Sequence, residues 1–134
     1  LGLIDSFLGL VPVYIAYSFP FTIFLLTPFF NNIPVALEEA AIIDGASLYE
    51  LFWKIAIPLA KPGLIIAGLF NVFGIWNEYV FAYTIISSDN LRTLPLGISN
   101  LLLTQYYQTN WGVLFAGLVM AVLPVFIIYV LFYY

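Results

Sequence analysis

The side chains of this chain that could do chemistry are few and gather in one place. Asn71, Trp76, Asn77, Glu78, Tyr79 and Tyr83 lie within an otherwise apolar stretch. A carboxylate inside a hydrocarbon layer is costly unless it is solvated or paired, so Glu78 should face a cavity or the interior of a helix bundle. Trp76, Tyr79 and Tyr83 can stack on the apolar face of a sugar ring while Asn77 and Glu78 bond its hydroxyls, a combination suited to a carbohydrate. The same residues also suit an aromatic belt at a membrane interface, with Glu78 capped by water or bonded to a neighbouring subunit. Both readings are open at this point.

Other chemistry is excluded by what is missing. There is no cysteine and no histidine, so disulfides, thiol or imidazole catalysis and the usual zinc ligands are ruled out. The acids within or beside apolar runs are Asp5, Glu78 and Asp89, which form no carboxylate pair or nucleophile–base set. No catalytic residue and no metal ligand is therefore predicted. The phosphate-binding pattern G-x-x-x-x-G-K-[ST] does not occur, so any ATP must be handled elsewhere.

The elements that must position these residues belong in a membrane. At 64% hydrophobic and 7% charged residues, with a mean hydropathy of +1.09, the chain could not clothe a soluble core. Seven acids against three bases leave a net charge of −4, too sparse a pattern for a nucleic-acid partner; lipid is the expected surroundings. About 20 apolar residues cross a bilayer, and three stretches qualify, at about residues 8–30, 62–86 and 111–134. The predicted fold is all-α: a polytopic membrane protein with three transmembrane helices.

In the first span Pro20 should kink the helix, with Ser18 and Thr22 placed to bond a freed carbonyl or a neighbouring helix. In the second, Gly63, Ala67 and Gly74 permit close helix approach, and Asn71 and Glu78, seven apart, should share a face. At about 1.5 Å rise per residue Glu78 falls roughly 24 Å beyond Pro62, towards the far interface. In the third, Gly112 with Ala116 and Gly117 with Ala121 form small-residue pairs, Pro124 should kink the helix, and Tyr129, Tyr133 and Tyr134 mark an interface. Residues 87–110 form a polar loop that Pro95 and Gly97 divide into a lead-in turn and a short helix over 98–103, with Ile98, Leu101, Leu102 and Gln105 at helical spacing. The chain opens on Leu1, without a basic stretch or a cleavage site, so the first apolar run is not read as a signal peptide.

Residues 34–62 hold six of the ten charged residues: Glu38, Glu39, Asp44, Glu50, Lys54 and Lys61. Pro34 suits a helix's first turn and Glu38 and Glu39 favour the positive end of its dipole, which predicts a helix from about Ile33 to Asp44. Gly45 can take the left-handed conformation that closes it, and Ser47-Leu48-Tyr49-Glu50 has the spacing of a capping box. A second helix should follow, bury Leu48, Leu51, Phe52 and Ile55, turn Lys54 away, and end at Pro58 with Pro62. Two lysines border this segment and Arg92 alone lies in the 87–110 loop on the opposite side, a count too small to fix the orientation by itself.

Glu39-Ala40-Ala41, then Gly45, then Ile55-Ala56-Ile57-Pro58 resembles the EAA loop of ABC importer permeases, E-A-A-x3-G-x9-I-x-L-P, with Ile57 in place of the leucine. Together with Trp76-Asn77-Glu78 and Leu91-Arg92-Thr93-Leu94-Pro95-Leu96-Gly97, it is similar to the carbohydrate branch of that family, the MalG-like type. The resemblance covers nearly the whole chain. It implies a multi-pass protein of a prokaryotic inner or plasma membrane and a domain of roughly six spans of which this is the C-terminal part. It also implies three protein partners: a nucleotide-binding ATPase subunit that holds ATP and Mg, a second permease subunit, and an extracytoplasmic substrate-binding protein that meets the 87–110 loop. The residues it implies for coupling to the ATPase are Glu38, Glu39, Ala40, Ala41, Asp44, Gly45, Ile55 and Pro58, on a cytoplasmic loop; the candidates for a substrate pathway, from their own chemistry, are Asn71, Trp76, Asn77, Glu78, Tyr79 and Tyr83. Against an importer subunit stand a channel or anchor that needs no ATPase, an intramembrane enzyme, and a helical hairpin lying on the bilayer surface.

Overall fold

The computed structural model describes residues 2–104 and 110–133, and among them every regular element is helical. Helix α1 is Phe7–Asn31, α2 Val35–Ile43, α3 Leu48–Leu59, α4 Lys61–Trp76, α5 Val80–Ile85, α6 Leu94–Thr104 and α7 Trp111–Tyr133. A 3-10 turn at Asp89–Leu91 precedes α6. Two helices, α1 and α7, are long and apolar enough to cross a membrane. Helix α1 continues through Pro12, Pro20 and Pro28, and α7 carries Pro124 in its interior.

The chain divides into two compact units. One comprises residues 1–15 and 73–134, the other residues 16–72. In the first, Leu10, Ala82, Ile86 and Leu96 form a buried cluster on which Tyr14, Phe81, Ile85 and Leu91 pack. Its N-terminal end is stapled by Asp5, a non-glycine residue at φ 58. The Asp5 amide donates to the Ile85 carbonyl at 2.8 Å, and its carboxylate accepts from the Ser87 and Ser88 amides at 2.9 and 2.8 Å and from the Ser88 hydroxyl. The Ser88 hydroxyl, then the Ser88 and Ser87 amides, hold the Asp5 carboxyl below its ordinary range.

In the second unit the buried residues are nearly all small: Ala41, Ala56, Ala60, Gly63 and Ala67, with Ile33. Small residues let helix backbones approach closely. At Gly63 the approach is tight, since a β-carbon there would come within 2.5 Å of the Phe29 ring. Gly63 and Ala67 thus pack as expected, whereas Gly74 faces open space. In α7 only Gly117 of the predicted small pairs is buried, against Ile98; Gly112 and Ala116 are exposed.

The second helix of the 34–62 segment ends at Leu59, between Pro58 and Pro62 as expected, after widening into a π turn over Phe52–Ala56, where the Ile57 amide reaches back to the Phe52 carbonyl. A proline ring clashes with the carbonyl four residues earlier, and a wider turn relieves that clash. The direction changes at Ala60, where α3 and α4 meet at a 71° bend. The predicted face of α3 is not buried as a stripe, because Leu48 and Phe52 are exposed while Leu51 and Ile55 are half-buried.

The predicted 62–86 helix is interrupted. It ends at Trp76, and the chain resumes helix only at Val80. The helical phase that would place Asn71 and Glu78 on one face therefore stops between them. The predicted 98–103 helix is longer, since Pro95 lies in the first turn of α6, where a missing N–H costs nothing, instead of breaking the segment. Leu96 and Ile98 are its buried residues, and Leu102 is exposed. Gln105, Tyr134 and the side chain of Tyr133 lie outside the described residues.

Candidate functional site

The interruption after Trp76 is built by three consecutive side chains. The Trp76 indole donates to the Ala121 carbonyl of α7 at 2.9 Å. The Asn77 side-chain amide donates to the Phe73 carbonyl at 2.8 Å, closing the last turn of α4. The Glu78 carboxylate accepts from the amides of Phe81 at 2.7 Å and Ala82 at 3.4 Å, two of the orphan donors at the start of α5. Such charge-assisted bonds are the stronger kind, and they lower the cost of a carboxylate in apolar surroundings. The Tyr14 hydroxyl is buried near Glu78 and makes no hydrogen bond of ordinary geometry among the described residues.

Tyr79 follows with φ −133 and ψ −20, outside the helical region. It and Asn77 border an open groove of about 250 Å³ whose other walls include Pro95, Ile98 and Ser99 of α6 and Leu118 of α7. Tyr83 is exposed on α5. Asn71 belongs to the other unit, where its amide donates to the Thr22 hydroxyl of α1 at 2.8 Å. That bond is the neighbouring-helix option expected for Thr22.

The second candidate surface is the turn between α2 and α3. Asp44 caps α2, and Gly45 follows at φ +84. The Gly45 amide donates to the Ile42 carbonyl at 3.0 Å and the Ala46 amide to the Ala41 carbonyl at 2.9 Å, the paired bonds of a Schellman motif. Helix α3 opens with a full capping box: the Glu50 amide donates to the Ser47 hydroxyl and the Ser47 amide to the Glu50 carboxylate. Lys54 pairs with Glu50 at 2.7 Å. The Lys54 ammonium, then the Ser47 amide and hydroxyl, pull the Glu50 carboxyl down to about 2.

Of the residues expected on this surface, Glu39, Ala40, Asp44, Gly45 and Pro58 are exposed, Glu38 and Ile55 are half-buried, and Ala41 is buried at 9% exposure. Near them in the sequence Ile42, Ile43, Leu48 and Tyr49 are also exposed. Sequence reasoning missed the pairing of Asp5 with Ser88 and the burial of Tyr14, which depend on residues far away along the chain. It flagged the Ser47–Glu50 box because that signal is local.

Helices long and apolar enough to span a bilayer, an interrupted apolar helix closed by its own polar side chains, and a capped helix–glycine–helix segment define an integral membrane protein of the helical type. The model of the family described as "Binding-protein-dependent transport system inner membrane component" matches residues 1–134, and the chain belongs to that family.

Curated relatives agree. The chain is 39% identical over 131 residues to the probable ABC transporter permease protein YurM of Bacillus subtilis, covering 98% of this chain and 43% of YurM. It is 34% identical over 131 residues to the diacetylchitobiose uptake system permease protein NgcG of Streptomyces coelicolor (98% and 43%). It is 32% identical over 132 residues to the trehalose transport system permease protein SugB of Mycobacterium tuberculosis (98% and 48%). The chain thus spans somewhat less than half the length of these relatives.

Proposed function

We propose that this chain forms part of the membrane-spanning pathway of an ATP-driven importer for a sugar or oligosaccharide, and that residues 34–62 couple it to a separate ATPase subunit. The observation that carries the proposal is the helix–glycine–helix segment. Its Glu39-Ala40-Ala41, Gly45 and Ile55 stand at the spacing of the EAA loop, and its exposed Glu39, Ala40, Ile42 and Ile43 offer an acidic and apolar surface to a partner. The names of the trehalose and diacetylchitobiose relatives support a carbohydrate cargo. With no phosphate-binding loop in these residues, ATP and Mg belong to the ATPase.

In this reading α1, the interrupted α4–α5 run and α7 make three spans. The 34–62 loop lies in the cytoplasm beside Lys54 and Lys61, and the segment from Ser87 to Asn110 faces outward towards a substrate-binding protein. A second permease subunit completes the pathway.

The test is purification of the full-length protein with its neighbours, reconstitution in proteoliposomes, and measurement of ATP-dependent sugar uptake. Co-purification of an ATPase with uptake that requires ATP is the expected result. Flux without any ATPase would favour a channel. A cysteine at Asn90 should label from the outer side, and labelling only from the cytoplasmic side would overturn the topology.

A further inference from the structure

Trp76, Asn77, Glu78 and Tyr79 stand in line where the apolar helix is interrupted, and the first three commit their polar groups to backbone at 2.9, 2.8 and 2.7 Å. Tyr79 alone does not. Its hydroxyl has no partner among the described residues, the residue is 45% exposed, and it borders the groove with Ser99 of α6. We propose that Glu78 is a positioning residue whose carboxylate holds the interruption in place, and that Tyr79 with Ser99, not Glu78 or Asn77, meets the sugar.

The argument runs through the backbone. Helix α5 has six residues, too few to be stable by itself, and the two Glu78 bonds satisfy amides of its first turn. Without that carboxylate nothing on Glu78 opposes winding of residues 77–79 into one helix joining α4 to α5. In a continuous helix successive side chains turn by about 100°, so the direction of Tyr79 would change with the winding. Tyr79 offers a ring to the apolar face of a sugar, Ser99 offers a hydroxyl to its oxygens, and Ile98 and Leu118 supply apolar wall. The groove, at about 250 Å³, is smaller than the roughly 300–1,000 Å³ of sites that enclose a whole ligand, which suits contact with a single ring of a passing saccharide.

The sugar contact rests on the importer reading; the positioning role does not. The first measurement therefore needs no transport: a Tyr79→Cys variant of the full complex, in a background without other cysteines, is labelled in proteoliposomes with an uncharged water-soluble maleimide. Adding Glu78→Ala should change the labelling rate by about fivefold or more, whereas Glu78→Gln, which keeps one acceptor oxygen, should stay within about twofold. Should Glu78→Ala fail to assemble, Glu78→Asp, one methylene shorter, replaces it. An unchanged rate overturns the positioning role.

The second measurement is the KM for uptake. Loss of one aromatic stack, Tyr79→Ala, should raise it up to about tenfold. Glu78→Ala should raise it similarly, and the double variant should be no worse than Tyr79→Ala. Additive effects would show that Glu78 meets the sugar itself, and a Tyr79→Ala variant with wild-type KM would overturn the Tyr79 contact. If the wild-type complex imports no sugar, the importer reading fails while the labelling result still decides the role of Glu78.

Discussion

Tryptophan placed at Ala40 or at Ala41 should give different outcomes, although the two residues are neighbours. A helix turns them about 100° apart, and here Ala41 keeps 9% of its surface while Ala40 is exposed. At Ala40 the added ring reaches outward, where helix propensity alone costs a few tenths of a kcal/mol. If that face docks closely on an ATPase, overpacking adds about 1–3 kcal/mol, a weakening of about 5- to 150-fold at about 1.4 kcal/mol per decade. At Ala41 the same ring strikes the chain's own interior, so a comparable cost falls on stability whether or not a partner is present. The assay pairs ATPase retention through purification of the full complex with the thermal stability of the permease. Ala40→Trp should lose the ATPase and keep its stability; Ala41→Trp should lose both. An Ala40→Trp complex that retains its ATPase and its uptake would refute docking on this face.

Other substitutions test other joints. Gly45→Val must place a β-branched residue at φ +84, a strain of about 1–3 kcal/mol, so uptake should fall at unchanged membrane insertion; normal uptake would remove this turn from the coupling geometry. Gly63→Val should lower thermal stability by driving methyls into the Phe29 ring, and Phe29→Ala should recover part of the loss, whereas additive losses would mean that the contact is not the cause. The Glu50 carboxyl is lowered in the folded chain, so its contribution is complete above the unfolded value near 4.5 and fades as pH falls towards about 2. Amide exchange at residues 47–51, corrected for intrinsic rates, should therefore rise across that acid window in the wild type and show no such step in Glu50→Gln.

Local signals in the sequence were sufficient where a structure is made by neighbours. The capping box at Ser47 and Glu50, the left-handed Gly45 and the apolar runs of α1 and α7 each depend on residues within a turn or on composition, and each appears where the pattern placed it. Proline was the least legible signal. Pro95 was expected to divide its segment, yet it lies in the first turn of a helix, because a missing N–H matters only where a partner carbonyl waits for it.

What the sequence determined by itself was the membrane setting, the all-helical class and the helix–glycine–helix segment, since hydropathy, caps and turn residues act over short range. Tertiary structure decided where the polar groups go. Asp5 finds Ser87 and Ser88 across the length of the chain, Asn71 finds Thr22, and Trp76 finds Ala121. It also decided that Ala41 turns inward while Ala40 turns out. Glu78 shows the difference most clearly: as a carboxylate in an apolar run it signals that some partner must exist, but that the partner is the start of α5 depends on the helix being interrupted. The interruption is held by bonds to Ala121 as well as by local ones, and a contact between residues 45 apart has no trace in local periodicity.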